Sequence, residues 1–187
     1  MSARCLRGLS SAFLFVAAAM ASAWARADVD SGPAVGRETP ALQVLGVVGD
    51  GAGETVDFAA RRVGKPTVIV FVPADKWTRP AARLLKEIDG RATEANPDAA
   101  VVAVWLTTDA AKSKTYLPIA QNSLGFARTA LCVDEKNAAG PLEWNVNTAA
   151  EMTVVVVAGG KVHARWGFVS PNDTVAKDVL AALKAAK

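Results

Sequence analysis

Residues 67–72 read Thr-Val-Ile-Val-Phe-Val, an almost continuous run of β-branched and aromatic side chains. Such a run is typical of a strand buried on both faces of a central sheet. A helical pattern opens at Thr78-Arg79-Pro80, and a second β run covers residues 99–106. We expect Asp89-Gly90 to mark a break near the end of this helix. Its apolar positions recur at helical spacing: Ala81, Leu84, Leu85 and Ile88. Strand, helix and strand in this order predict an α/β fold.

The C-terminal third predicts a β-hairpin followed by a helix. Residues 152–157 and 161–168 have strand composition and flank the turn residues Gly159-Gly160. Ser170 to Asp173 is typical of a helix start, with Pro171 at the first helical position and Asp173 at capping-box spacing. The stripe expected to be buried is Val175, Val179, Leu180 and Leu183. A terminal hairpin makes the predicted sheet mixed.

The other elements are shorter. Alternating residues predict a strand over 42–48, and a second short strand is expected at 55–58. A helix over about 110–121, capped by the Thr107-Thr108-Asp109 segment and interrupted by Pro118, precedes a strand at 130–133. Residues 137–144 are expected to form a helical turn or two. The glycines at 49–53 do not match a phosphate-binding loop, so we interpret them as a turn.

The N-terminus has the layout of a secretory signal peptide. Arg4 and Arg7 precede an apolar run over 12–21, which is shorter than the about 20 residues of a membrane-spanning helix, so cleavage is favoured over an uncleaved anchor. Small residues allow cleavage after Ala23, Ala25 or Ala27, and the last is favoured because polar residues follow. Cys5 precedes the run and is not placed for lipidation. We therefore predict a signal peptide at 1–27 and a flexible lead-in at 28–41, followed by one domain at 42–187 in a periplasmic or extracellular protein.

Removal of residues 1–27 changes the charge of the chain. That segment contains three of the 21 basic residues and no acid, so the mature part has equal numbers of basic and acidic residues, 18 of each. A formal charge near zero argues against a nucleic-acid partner and against binding to an anionic membrane. The mature part also retains a single cysteine, Cys132, so it cannot form an intramolecular disulfide.

Two segments give the chain a resemblance to the thioredoxin-like superfamily, covering residues 42–187. Residues 152–162, ending at Gly167, resemble the family's Pro-Thr-strand-turn-Gly-x-Val hairpin, and Trp144-Asn145-Val146 resembles the aromatic-Gly-Val before it. Trp77-Thr78-Arg79-Pro80-Ala81 is similar to the family's Trp-Cys-x-Pro-Cys. The resemblance implies a three-layer α/β fold, a central mixed sheet flanked by helices with a C-terminal hairpin and helix.

The same resemblance implies a degenerate redox site. Thr78 and Ala81 stand where the family has its two cysteines, and Met152 replaces the proline that the family holds cis. In a comparison with peroxiredoxins instead, residues 71–75 resemble the end of the strand before the peroxidatic cysteine. No cysteine follows them at this position of the chain. Disulfide exchange needs an attacking thiolate and a resolving thiol, and peroxide reduction needs a thiolate of low pKa. The chain therefore lacks the groups for either reaction at this site.

Other catalytic and metal sites have little support in the sequence. We expect Cys132, flanked by Leu131 and Val133, to be a buried inert thiol, although a mixed disulfide with a partner is the alternative. His163, the only histidine, shares the polar side of its strand with Lys161 and Arg165, which disfavours a catalytic triad. One histidine and one mature cysteine disfavour a zinc site, and we expect no metal and no cofactor.

Two functional hypotheses remain, with a third that sequence does not separate from the first. The favoured one is a non-catalytic pseudoenzyme that binds a protein or peptide through the Trp77 loop, Asp75-Lys76-Trp77-Thr78-Arg79, or through an exposed sheet edge. The alternative is a thiol oxidoreductase or peroxiredoxin-like enzyme acting through Cys132 and a partner thiol. The third is a structural part of a larger assembly. The sequence does not define the oligomeric state.

Overall fold

A mixed seven-stranded sheet forms the centre of the molecule. The computed structural model describes residues 29–186. The strands are β1 (Gln43–Val48), β2 (Thr55–Asp57), β3 (Thr67–Pro73), β4 (Ala100–Leu106), β5 (Thr129–Asp134), β6 (Met152–Ala158) and β7 (Lys161–Phe168). Their order across the sheet is β2-β1-β5-β4-β3-β6-β7, in which β3, β4 and β5 are parallel and the other pairs antiparallel. The predicted α/β class, the central position of residues 67–72 and the terminal hairpin are confirmed.

Four α-helices cover the two faces of this sheet. They are α1 (Phe58–Arg61), α2 (Arg79–Ala95), α3 (Ala110–Leu124) and α4 (Ala176–Ala185). The core on one face contains Val70, Leu85, Leu117 and Leu183, which places α2, α3 and α4 on that face. The other face packs Phe58 of α1 together with Trp144, which lies in a short 3-10 turn at Leu142–Trp144. The three layers predicted from the resemblance are therefore present.

Two helices run through residues that were predicted to interrupt them. α2 continues beyond Asp89-Gly90 to Ala95, because Ile88 and Ala92 are fully buried and Gly90 costs a helix only about 1 kcal/mol relative to alanine. α3 continues beyond Pro118 to Leu124, because Leu117 and Ala120 on either side of the proline are buried against the sheet. Tertiary packing outweighs the local preference at both positions.

The start of the last helix differs from the prediction. Residues Asp173–Val175 form a 3-10 turn before α4, and the N-cap is Asn172, whose side chain accepts a hydrogen bond from Thr174 N at 3.0 Å. Pro171 lies before the turn and is not the first helical residue. Val179, Leu180 and Leu183 are buried as expected, whereas Val175 is only half-buried.

The lead-in predicted to be flexible is instead packed in the structure. Residues 29–39, hereafter the strap, run along β7, with antiparallel bridges from Val29 to Gly167 and from Glu38 to Lys161. Ser31 is 2% exposed. The unpaired edge of β7 attracts the segment because its backbone N–H and C=O groups need partners. The predicted signal peptide lies outside the described residues. Within residues 29–186, no helix has the length and hydropathy of a membrane-spanning segment.

Candidate functional site: the Trp77 cleft

The degenerate motif lies where β3 leads into α2. A 3-10 turn at Ala74–Lys76 follows the strand, and Thr78 is the N-cap of α2, its hydroxyl accepting a hydrogen bond from Ala81 N at 3.4 Å. Pro80 is in the first turn of the helix, where a missing N–H costs little. Ala81 is fully buried, while Thr78 and Arg79 are exposed. A capping hydroxyl and a core methyl group thus stand where the resemblance would place two sulfur atoms.

Trp77 joins this loop to the neighbouring helix. Its indole lies edge-on to Trp105 of β4, with ring centroids 4.9 Å apart and an interplanar angle of 63°. Its Nε1–H donates a hydrogen bond to the Tyr116 hydroxyl of α3 at 3.0 Å. Burying one side of an indole while its N–H finds a polar partner is the usual way for a protein to hold a half-exposed tryptophan.

A cleft of about 570 Å³ opens beside Trp77. It forms because β3 and β4 are parallel, so that the loops after both strands, together with the start of α3, meet at one edge of the sheet. Its aromatic lining is Trp77, Trp105 and Tyr116, and its polar lining is Asp75, Thr107, Thr108, Asp109, Lys112 and Ser113. Mixed aromatic and polar walls of this volume suit a small molecule or part of a peptide.

Some of the polar side chains that line the cleft form hydrogen bonds that stabilise its walls. Asp109 caps α3, its carboxylate accepting a hydrogen bond from Lys112 N at 2.9 Å, and Thr107 Oγ1 accepts one from Asp109 N at 2.9 Å. Ser113, with 6% of its surface exposed, also lines the cleft. A hydroxyl group at this wall can donate a hydrogen bond to a ligand or accept one from it.

Met152 lies directly after a loop that is hydrogen-bonded to the site loop (residues 74–78). It is the first residue of β6 and is fully buried, and every peptide bond of residues 29–186 is trans. The Lys76 ammonium donates hydrogen bonds to the carbonyl oxygens of Thr148 and Ala150, just before Met152. Lys76 thereby ties the site loop to the loop before β6.

Sequence reasoning missed several residues of this site. Asp75, Lys76 and Trp77 were anticipated as parts of the site loop, but Tyr116, Asp109, Lys112 and Ser113 were not assigned to the site. Tyr116 is the only tyrosine of the chain, yet nothing in its helical spacing indicates a contact with Trp77, which is 39 positions away. Met152 and Thr78 do not line the cleft.

Cys132 lies in an environment that makes its thiol unreactive. It is fully buried in β5 between Gly46 of β1 and Val104 of β4, as the prediction of a buried thiol required. Burial raises the pKa of the thiol to about 12, and the negative charge of Asp50 adds to the increase. At neutral pH the side chain is a thiol, which is neither a nucleophile nor a good metal ligand.

His163 and the acidic residues assemble no metal site in the described part of the chain. His163 is half-exposed on β7, on the same side of the strand as Lys161 and Arg165, as its register predicted. No group of three histidine, cysteine, aspartate or glutamate side chains that could hold a metal ion occurs among residues 29–186.

Several solved structures have the same fold as this chain. Peroxidoxin BcpB of Mycobacterium tuberculosis is 19% identical, with a TM-score of 0.60 over 83% of this chain and 99% of its own. The pneumococcal exposed lipoprotein thioredoxin of Streptococcus pneumoniae is 19% identical, with a TM-score of 0.54 over 78% of this chain and 99% of its own. The bacterioferritin comigratory protein of Xanthomonas campestris is 20% identical, with a TM-score of 0.54 over 77% of this chain and 90% of its own.

These likenesses show that the chain has a thioredoxin-like fold. The sequence, with Thr78 and Ala81, lacks the cysteine pair. Comparison with protein-family models found no match, and comparison with curated proteins found none either. At sequence identities of 19–20%, structural similarity establishes the fold and says nothing about function. The chemistry has to be argued from the site itself.

Proposed function

We propose that this protein is a non-catalytic, exported binding module that takes a segment of a protein or peptide into the Trp77 cleft. The observation that carries the proposal combines two features at the carboxyl ends of β3 and β4. The positions of the two expected sulfur atoms hold a capping Thr78 and a buried Ala81, and an open aromatic cleft lies beside them.

The cleft has the properties of a recognition site. Trp77 and Tyr116 offer large amphipathic surfaces that lose little conformational entropy on binding, and such residues supply much of the energy of protein interfaces. Ser113 and Lys112 add polar contacts that can orient a bound main chain. The site is held open by the Asp109 cap and the Trp77–Tyr116 hydrogen bond, so that binding requires little reorganisation.

The alternative, an oxidoreductase acting through Cys132, has weaker support. A fully buried thiol with a pKa of about 12 is not accessible to a partner thiol and carries almost no thiolate at neutral pH. No observation in the described residues favours this alternative over the binding module.

A random peptide library displayed on phage tests the binding function. The purified protein is expected to enrich a defined set of peptides, and Trp77→Ala should weaken their binding at least about tenfold, the loss expected for an aromatic anchor. Leu142→Ala is the matched control, because Leu142 is 90% exposed and does not line the cleft. Equal binding to wild type and Trp77→Ala would refute the cleft as the site.

Insulin reduction and peroxide consumption test the absence of catalysis. We expect neither reaction to exceed the protein-free rate, for wild type or for Cys132→Ala. Activity that disappears in Cys132→Ala would overturn the non-catalytic proposal and make this thiol the reacting group.

Export rests on the N-terminal sequence. The basic residues, apolar run and small residues of 1–27 support cleavage after Ala27. N-terminal sequencing of the protein recovered from an exporting bacterial host should begin at Asp28. A chain that still begins at Met1 and stays in the cytosol would contradict export without affecting the cleft.

A further inference from the structure

The strap continues the sheet beyond β7 as a partial extra strand. Its main-chain hydrogen bonds join Val29 N to Gly167 O at 3.1 Å, Gly36 N to Val162 O at 2.8 Å, Val162 N to Arg37 O at 2.9 Å and Thr39 N to Gly160 O at 2.8 Å. Gly167 makes room for it, because a Cβ atom there would lie 2.6 Å from both Ser31 Cβ and Val29 O. The chain is thus built to accept this segment.

The first residues of the strap also hold a loop that is distant in sequence. Ser31 Oγ accepts a hydrogen bond from Asn147 N at 2.8 Å, and Asn147 Nδ2 donates one to Asp30 O at 3.0 Å. Gly32 N donates to Asn145 O at 3.0 Å. These contacts attach the strap to residues 145–151, hereafter the β6 loop. This loop contains no helix or strand, and its own hydrogen bonds include Ala150 N to Asn147 O at 3.0 Å and Ala149 N to Asn147 Oδ1 at 2.9 Å.

A second set of side-chain contacts strengthens this attachment. The Ser31 and Thr153 hydroxyl oxygens lie 2.6 Å apart and are both almost fully buried. Arg165 binds the strap through Gly32 O and the Asp30 carboxylate, both at 2.6 Å. Because hydroxyl groups this deeply buried have no water to replace a lost partner, the contact at Ser31 is sensitive to substitution.

The β6 loop in turn holds the site loop. Its carbonyl oxygens at Thr148 and Ala150 accept hydrogen bonds from the Lys76 ammonium, and Lys76 directly precedes Trp77. A continuous path of contacts therefore runs from Ser31 through Asn147 and Lys76 to the cleft.

We propose that the strap is a positioning device for the Trp77 cleft, acting through the β6 loop and Lys76. When the strap is docked, the loop presents its carbonyl groups to Lys76 and holds Trp77 against Trp105. When the strap is displaced, both loops gain mobility and the cleft loses its preformed shape. The significance of the cleft rests on the proposed binding function, whereas the coupling between strap and loops stands on these contacts alone.

Hydrogen exchange measured by mass spectrometry on the purified protein tests the coupling without any ligand. In Ser31→Ala, amide exchange in residues 74–78 and in residues 145–151 should rise about tenfold, the effect of losing a buried hydrogen bond. Gly167→Ala should produce the same pattern, because it displaces the strap by steric contact and removes no polar group. Arg37→Ala is the matched control, since the Arg37 side chain is exposed and only its backbone binds β7.

Local and global effects are separated by two further variants. Val179→Ala lowers overall stability by leaving a cavity in the core and should raise exchange throughout the molecule, including in β3 and β4. In Lys76→Met the site loop is already released, so adding Ser31→Ala should give no further increase in residues 74–78. A rise in the β6 loop with unchanged exchange at residues 74–78 in Ser31→Ala would overturn the proposal. So would an additive effect of Ser31→Ala on the Lys76→Met background.

Discussion

The Trp77 indole N–H donates a hydrogen bond to the Tyr116 hydroxyl at 3.0 Å, which joins the loop before α2 to the middle of α3. Because the two residues line the cleft from different elements, this bond fixes the distance between its walls. It also leaves the Tyr116 hydroxyl proton free to bind a ligand, since the oxygen acts only as an acceptor here.

Tyr116→Phe tests this bond. The indole N–H loses its protein partner but remains near solvent, because Tyr116 is 40% exposed, so we expect the free energy of unfolding to fall by only about 0.5–1 kcal/mol. The Trp77 indole proton should exchange faster with water in a nuclear magnetic resonance measurement, its resonance being assigned with Trp77→Phe. An unchanged exchange rate would show that the bond is not formed in solution.

Asp89→Ala should be among the most destabilising single substitutions. The buried Asp89 carboxylate accepts hydrogen bonds from Ala127 N at 2.8 Å, Arg128 N at 2.8 Å and Thr129 Oγ1 at 2.7 Å, and so ties α2 to the segment before β5. Leaving these donors unpaired should lower the free energy of unfolding by about 3 kcal/mol. Urea denaturation measures the loss. Glu94→Ala on the exposed side of the same helix should change stability by less than about 0.5 kcal/mol.

Gly90→Ala should stabilise the protein. Gly90 lies inside α2, and a Cβ atom added there would have no atom within 4 Å beyond its chain neighbours and the backbone of its own helix, so alanine adds helix propensity without a clash. We expect a gain of about 0.5–1 kcal/mol in the free energy of unfolding, seen as a higher midpoint in urea. A loss of stability would mean that α2 is broken at Asp89-Gly90, as the sequence alone suggested.

The burial of Cys132 predicts a pH dependence at alkaline pH. Its pKa is about 12 in the folded chain against a reference value of 9.0, so the unfolded state loses the proton first. The stabilising contribution is complete below pH 9, and it declines between pH 9 and 12 by about 1.4 kcal/mol per pH unit.

The comparison of wild type with Cys132→Ala isolates this contribution. The variant lacks the titrating thiol, so its stability should fall less steeply over this pH range than that of the wild type. Parallel stability curves would contradict the burial. In the same experiment, a thiol reagent such as dithionitrobenzoate should modify Cys132 only as fast as the protein unfolds.

The order of strands and helices could be predicted from the sequence because it depends on local patterns. The β-branched run at residues 67–72, the glycine turn of the hairpin and the apolar spacing of α2 each reflect a period that neighbouring residues impose. The absence of sulfur at Thr78 and Ala81 likewise needed no structure, since a thiol reaction requires a thiol.

The cleft and the strap were decided only by the tertiary structure. Trp77 meets Tyr116, Ser31 meets Asn147 and Lys76 meets Thr148 across 39, 116 and 72 residues of chain respectively. Local periodicity carries no information about such pairs, because the hydrogen bonds form only after the sheet has brought distant loops to one edge. The residues of 29–39 show this most clearly: their glycine, proline and charged side chains predict a mobile segment, yet the open edge of β7 supplies the partners that order it.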